Sequence, residues 1–303
     1  MTDFQGALAG WQNLTLSRGK MPLRAAFWRT SKPQGQILLL GGMRDFAEKN
    51  TLEAQTFASW GMETVALDWH NQGRSGRLSG VNPRYSHTRS FADYGRDLQT
   101  LWPHIKPDLA VAHSMGAHNA LRFWAENAIT TPLVITAPLM GVRLGMSEGV
   151  ARGLTTLAKG LGMGPKLAPG QTPYVRPPFE GNIYSRDPAR FNEMFDWMEH
   201  DETLKKDGAT YGWVNAFLGS AAKLRSPRLL KQIKAPVLAF LTPNDPLVVG
   251  VAQEVLAQHI PNITVERLTD CRHEPLREEA RVRTPLMEKI RAFSQAHSQK
   301  PAP

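Results

Sequence analysis

Leu109-Ala110-Val111-Ala112-His113-Ser114-Met115-Gly116-Ala117 joins two kinds of periodicity. Leu109 to Ala112 is an unbroken apolar run, as expected of a short buried strand. Beyond Ser114, Ala117, Ala120, Leu121 and Trp124 recur at helical spacing. Ser114 therefore falls on a sharp strand-to-helix turn. Such a turn needs small residues two places before and after the serine, and Ala112 and Gly116 supply them. The geometry would lift the hydroxyl clear of a sheet and aim the Met115 N–H, at the helix start, at a developing oxyanion. A plain polar turn reads the same way, and five residues alone do not choose between the two.

Working outward, strands and helices alternate. Asn13–Ser17 and Leu23–Arg29 flank Arg18-Gly19-Lys20 as a hairpin. Gln36–Leu40 is a strand followed by the loop Gly41-Gly42-Met43-Arg44-Asp45. Thr51 to Trp60 carries Leu52, Phe57 and Trp60 at helical spacing and stops at Gly61. Thr64–Leu67 is the next strand. Ser90, with Asp93 at N3, reads as the cap of a helix whose apolar face is Tyr94, Leu98, Leu101 and Trp102. Pro132–Ala137 is a further strand. This is the βαβα order of a parallel sheet.

From residue 138 to 235 the alternation stops. Gly160, Gly162, Gly164, Pro173, Pro177 and Pro178 mark irregular chain. Asp187-Pro188 reads as N-cap and N1 of a helix, and Val214, Phe217 and Leu218 suggest another. The sheet resumes with Pro236–Leu241 and Ile263–Leu268. A long helix bearing Leu286, Ile290 and Phe293 closes the chain, with a frayed tail expected at Gln299–Pro303. The expectation is an α/β fold with a mostly parallel central sheet flanked by helices. Its core is residues 1–137 and 236–303, and residues 138–235 form an inserted, mainly helical cap.

A serine nucleophile needs a base, and the base needs an acid to orient it. In an open parallel sheet these belong on loops at the carboxyl ends of strands. Asp245, in Thr242-Pro243-Asn244-Asp245-Pro246, follows the strand ending at Leu241. His273, in Asp270-Cys271-Arg272-His273-Glu274, follows the strand ending at Leu268. Singly, Asp245 is good turn chemistry and His273 an ordinary loop histidine; three such residues after three strands are far more specific. His259 falls inside a helix and His297 at the end of one. His113, next to Ser114, is expected to point to the opposite side. The loop amide of Met43, after two glycines, is the candidate second oxyanion donor.

The 303 residues carry 42% hydrophobic side chains, enough for a core, and no apolar run nears the ~18 residues of a membrane span. Met1 to Gly10 does not have the form of a signal peptide. One cysteine, Cys271, permits no internal disulfide and fits a reducing, cytoplasmic setting. The formal charge of +9 suits a polyanion. The basic residues are scattered without a nucleic-acid motif, so nucleic acid is not expected as a partner. Peripheral contact with the anionic inner membrane surface is the more useful reading of that charge. Neither a His-Glu-x-x-His motif nor a cysteine pair offers a metal site, and Gly160, Gly162 and Gly164 follow no strand, so no metal or cofactor is expected.

Asp68-Trp69-His70-Asn71-Gln72-Gly73-Arg74-Ser75-Gly76 resembles the Asp-x-Arg-Gly-x-Gly-x-Ser segment of α/β-hydrolases, with His70 and Asn71 in place of its arginine and first glycine. Ala112 to Gly116 resembles the Gly-His-Ser-Met-Gly turn of the lysophospholipase and monoacylglycerol lipase group, with alanine for the first glycine. Gly41 stands where that group often has histidine. Ala235-Pro236-Val237-Leu238, Arg272-His273-Glu274, Asn182-Ile183-Tyr184-Ser185 and Thr210-Tyr211-Gly212-Trp213 extend the likeness, most of all to its bacterial lysophospholipase branch. The order Ser114, Asp245, His273 is that of the family. The resemblance implies the α/β-hydrolase fold and an ester hydrolase acting on lysophospholipids, with Ser114, His273 and Asp245 as the triad. Monoacylglycerols or small esters are the near alternatives, and a non-catalytic ligand-binding protein of this fold the distant one. In the cap, Phe191, Met194, Phe195 and Met198 lie at i, i+3, i+4 and i+7. That face either packs the cap or lines an acyl tunnel above Ser114.

Overall fold

A computed structural model describes residues 3–297; the tail expected at Gln299–Pro303 lies outside them. The chain opens with helix α1 (Phe4–Gly10) and a hairpin, β1 (Trp11–Arg18) and β2 (Met21–Trp28). Gly19 takes a positive φ of 62° in the two-residue turn between them. The core then runs β3 (Gly35–Leu40), α2 (Thr51–Ser59), β4 (Met62–Leu67), a short β5 (Tyr85–Ser86), α3 (Ala92–Leu101), β6 (Leu109–His113), α4 (Met115–Asn127) and β7 (Leu133–Thr136). After β7 come α5 (Glu148–Gly160), α6 (Pro188–His200), β8 (Asp207–Ala209), α7 (Tyr211–Leu224) and α8 (Pro227–Leu230). Strand β9 (Val237–Leu241), α9 (Gly250–His259), β10 (Ile263–Arg267) and α10 (Ala280–His297) complete the core.

The eight strands of the main sheet lie in the order β1-β2-β4-β3-β6-β7-β9-β10. Only the β1–β2 and β2–β4 pairings are antiparallel. The inner parallel strands β3, β6, β7 and β9 are apolar on both faces because helices cover both, whereas the edge strand β10 is only partly buried. Ile37 and Leu39 of β3 join Phe57 of α2 and Leu286 and Ile290 of α10 in one cluster. Leu38 and Leu40 join Leu98 of α3, Leu121 and Trp124 of α4 and Leu256 of α9 in the other. Strand order reverses between β3 and β6. That is the switch point where open α/β sheets form a crevice at their carboxyl ends.

Three details depart from expectation. Ser90 does accept the Ala92 N–H at 3.2 Å, but Asp93 turns away from the cap to pair with Arg96. The sequence singles out no particular helix over residues 148–160, where α5 forms. Gly149, Gly153 and Gly160 weaken its helical signal, but Ser147 caps it by accepting the Val150 N–H. Residues 138–235 also take part in strand pairing, since β8 lies parallel to β5. The Asp187 cap of α6 forms as predicted, accepting the Ala189 and Arg190 N–H groups.

Candidate active site

The turn after β6 holds Ser114 at φ 51° and ψ −114°, a conformation costly for any residue with a side chain. Two features of the sequence allow it. Ala112 pairs in register with Leu40 of β3 and is fully buried. A Cβ on Gly116 would stand 2.2 Å from the Leu40 carbonyl oxygen and 2.5 Å from that of Gly41, so only glycine lets α4 start this close to β3. The Ser114 carbonyl is fixed by the N–H groups of His118 and Leu139.

The Ser114 hydroxyl lies 3.0 Å from His273 Nε2, and His273 Nδ1 lies 2.8 Å from Asp245 Oδ2. Asp245 Oδ2 also accepts from the Thr242 hydroxyl, and Oδ1 from the N–H groups of Leu247 and Val248. Burial pushes the Asp245 carboxyl up, but the hydrogen bond and charge of His273, with those two amides, hold it below the usual carboxylate range. An ionised Asp245 only accepts, so Nδ1 carries the imidazole proton and Nε2 presents its lone pair to the serine. The residues expected from three separate loops thus form one relay.

The first N–H groups of α4 have no intrahelical partner, and the Ser114 side chain caps none of them. Met115 N–H is the first of these. Across the switch point, the Gly42 N–H donates to Asp45 Oδ2 at 2.6 Å, which leaves the Met43 amide as the loop's available donor. A Cβ on Gly42 would lie 3.3 Å from Ser114 Cβ. Gln72 braces this loop: its amide donates to the Gly42 carbonyl and its oxygen accepts the Arg44 N–H. The rest of the Asp68–Gly76 segment is scaffold. Asp68 accepts from Ala47 N–H, Arg74 N–H and Arg24 Nη1. Asn71 stands at φ 62°, which asparagine tolerates better than most residues in the absence of glycine. His70 bonds Asp97 at 2.7 Å and takes no part in the relay.

His113 does not point away from the site. Its ring centre is 5.0 Å from that of His273, and its Cδ2 faces Gly42. Strand alternation failed here because Ser114 is on the turn rather than in the strand. Burial pushes His113 down to about 4, so it is neutral beside Glu274. Glu274 belongs to a buried chain that sequence spacing did not reveal. Lys49 Nζ donates to Glu274 Oε1 at 2.7 Å and also to Asp45, the residue holding the Gly42 amide. Burial pushes the Glu274 carboxyl up, and the Lys49 charge outweighs it and holds the group below its usual range. Lys49 in turn is raised, because Asp45 and Glu274 outweigh its desolvation. The loops that carry His273 and Met43 are therefore joined through one ammonium.

Phe191, Met194, Phe195 and Met198 are brought together, each 2–7% exposed. They form a cluster with Phe46 and Leu204, against Tyr174, Phe179 and Tyr184.

The sequence and the fold have counterparts among known proteins. At 26% identity over 205 residues, the chain is similar to Lysophospholipase L2 of Escherichia coli K12, a match covering 64% of this chain and 59% of that protein. The Probable lysophospholipase L2 of Haemophilus influenzae is 23% identical over 292 residues, covering 92% and 91%. A soluble variant of monoglyceride lipase from Saccharomyces cerevisiae superposes with a TM-score of 0.73 at 15% identity, covering 95% of this chain and 96% of that one. For the monoacylglycerol lipase of Paleococcus ferrophilus the values are 0.69 and 17%, with 91% and 99% covered. These structural likenesses establish the α/β-hydrolase fold. The profile of the family described as Serine aminopeptidase, S33, matches residues 31–280, and the chain belongs to that family.

Proposed function

We propose that this protein is a serine hydrolase of carboxylic esters and that its substrates are lysophospholipids. The observation that carries the proposal is the Asp245–His273–Ser114 relay, with Ser114 raised on a strained turn beside two donor amides. Ser114 Oγ attacks the acyl carbonyl as its proton passes to His273 Nε2, and the carbonyl π electrons move to oxygen. Met43 and Met115 N–H groups stabilise that oxyanion. Collapse breaks the ester C–O bond, and His273 gives its proton to the departing glycerol oxygen. Water, deprotonated by the same His273, then attacks the acyl-serine, the acyl–Oγ bond breaks as His273 returns the proton to Ser114, and the fatty acid leaves. Asp245 holds the imidazole in the tautomer these steps need.

The relatives named lysophospholipases support the substrate class. The superposed monoglyceride lipase supports monoacylglycerol as the second reading. Residues 138–235 act in this proposal as the cap over the site. No helix is long and apolar enough to cross a membrane among the described residues. Helix α5 instead turns Val150, Leu154 and Leu157 outward, more than half exposed, with Leu161 just beyond it. With the +9 charge, this supports peripheral work at the cytoplasmic face of an anionic membrane. A fluorophosphonate probe tests the chemistry, since it labels an activated serine covalently. Unlabelled protein would sink the hydrolase reading. Rates on lysophosphatidylcholine, lysophosphatidylethanolamine, monoacylglycerol and short p-nitrophenyl esters test the substrate. A preference for monoacylglycerol or p-nitrophenyl butyrate would replace the lysophospholipid reading with the corresponding esterase.

A further inference from the structure

A cleft of about 370 Å³ opens beside α4, between the start of α3 and helices α5 and α7. Five cations line it: Arg89, Arg122, Arg152, Lys159 and Lys223. Glu126 answers two of them, pairing with Arg122 at 2.8 Å and Lys223 at 2.7 Å. Among the described residues no carboxylate pairs with Arg89, Arg152 or Lys159. Lys159 instead donates to the Asn215 side-chain oxygen. At the floor, Arg122 is only 9% exposed. Its Nη1 donates to Ser220 Oγ at 2.8 Å, while its buried Nε has no partner. A guanidinium N–H buried without an acceptor is costly, and a concavity of surplus positive charge concentrates anions. The Ser90 hydroxyl stands at the rim as a further donor.

We propose that this cleft is a binding site for a phosphate group carried as a mono- or diester. The forked donors of two arginines suit phosphate oxygens, and the lysines add charge without demanding one geometry. The cleft is distinct from the relay. Arg122 lies eight residues beyond Ser114 on α4, roughly 12 Å along the helix axis at 1.5 Å per residue. None of Ser114, Asp245 and His273 lines the cleft. The two sites are nonetheless connected. The Ser220 hydroxyl that accepts from Arg122 also bonds His118 Nε2 at 2.7 Å. His118 Nδ1 is 2.8 Å from the carbonyl of Leu139, whose N–H holds the Ser114 carbonyl. The inference does not depend on the ester chemistry, because its readout is binding.

The test compares two charge-matched double variants of the full chain. Arg152→Gln with Lys159→Gln removes two exposed cleft cations, neither of which anchors the core. Lys231→Gln with Lys234→Gln removes two exposed cations elsewhere. Calorimetric titration with inorganic phosphate and with glycerol 3-phosphate should show saturable binding to the unaltered protein. The cleft variant should bind roughly tenfold or more weakly, the loss of charge-assisted contacts, and the control less than about twofold. A second arm uses phosphatidylglycerol and phosphatidylcholine vesicles with and without competing phosphate. Vesicle binding that phosphate displaces identifies a lipid headgroup as the source; binding of the soluble esters alone identifies a free phosphate ester. Absence of saturable binding in both arms, or equal losses in the two double variants, would overturn the site and leave only diffuse surface charge.

Discussion

Helices α4 and α5 are both thirteen residues long, yet they live in opposite surroundings. In α4 every residue from Met115 to Ala125 is buried. In α5 only Ala151, Thr155 and Ala158 are, and its large apolar side chains face out. The reason is what each helix meets. Helix α4 lies between the sheet on one side and α3, α7 and α8 on the other, so its whole circumference is used. Helix α5 packs on α7 through its small residues, which leaves Val150, Leu154 and Leu157 unspent. Apolar periodicity announces a helix, but not what will cover the apolar face. Changes in and around α4 should therefore be read in catalysis and stability, and changes in α5 in behaviour at surfaces.

The largest expected effect is at the head of α4. Ser114→Ala should lower ester turnover by about 10⁶-fold, the typical effect of losing a triad nucleophile. The change removes one oxygen and leaves the backbone conformation to a residue of similar size. The melting temperature should therefore barely move. Turnover assays and a thermal melt on the same preparation check this; a folded variant with most of its activity would make another residue the nucleophile.

Next in size is the buried ammonium that joins the two loops. Among the described residues, Glu274→Gln leaves Lys49, which is 1% exposed, with Asp45 as its only carboxylate in contact. Breaking a buried pair from one side costs about 3–5 kcal/mol, measurable as a shifted denaturant midpoint. The pH dependence gives the sign. The Glu274 pKa is depressed in the folded protein. Its contribution is therefore fully present above the unfolded value, near ~4.3, and is lost as pH falls through the folded value. Lys49 is raised, so its contribution is present below the unfolded value, near ~10.4, and is lost as pH rises through the folded one. The gap between wild type and Glu274→Gln should accordingly be full at neutral pH and shrink in acid. A gap that stayed constant down to pH 3 would mean the loss came from packing rather than charge.

A pair of glycines sharpens the contrast between the helices. Gly116 in α4 has backbone oxygens within 2.5 Å of where a Cβ would stand, whereas Gly153 in α5 has nothing within 4 Å. Gly116→Ala should cost about 1–3 kcal/mol and reduce activity, since it pushes α4 away from the oxyanion loop. Gly153→Ala should stabilise by about 0.5–1 kcal/mol, because alanine gives up less entropy in a helix. Urea denaturation of both variants decides; the same sign at both positions would show that α5 is not free on its outer face.

What the sequence made legible follows the same division. Ser114, Asp245 and His273 could be found because each follows an apolar strand, and strand ends converge at one edge of a parallel sheet. The Lys49–Glu274 contact could not, since it joins residues 225 positions apart with no local pattern. His113 was misjudged because alternation ends where the strand ends, one residue before the turn. Helix α5 escaped notice because three glycines lower its propensity and its apolar residues have no partner to reveal. The α6 face was legible as apolar, but Phe46, which helps cover it, comes from a distant loop.

The smallest effect on stability is expected where the proposed membrane contact is made. Leu157 is 61% exposed, so Leu157→Glu removes almost no packing and should change unfolding free energy by less than about 0.5 kcal/mol. Burying a leucine at a lipid interface, however, is worth roughly 1.5–3 kcal/mol, and a carboxylate there also meets anionic headgroups. Co-sedimentation with phosphatidylglycerol vesicles should thus fall by about tenfold or more, while hydrolysis of a short soluble ester is unchanged. The two contributions separate with salt. The electrostatic part weakens as the Debye length falls from about 10 Å at 0.1 M to about 3 Å at 1 M, and the apolar part persists. Leu157→Gln, which keeps the charge, should therefore show only the salt-independent share of the loss. If Leu157→Glu binds vesicles as well as wild type at low salt, the outward stripe of α5 takes no part in membrane contact, and the difference between the two helices is one of packing alone.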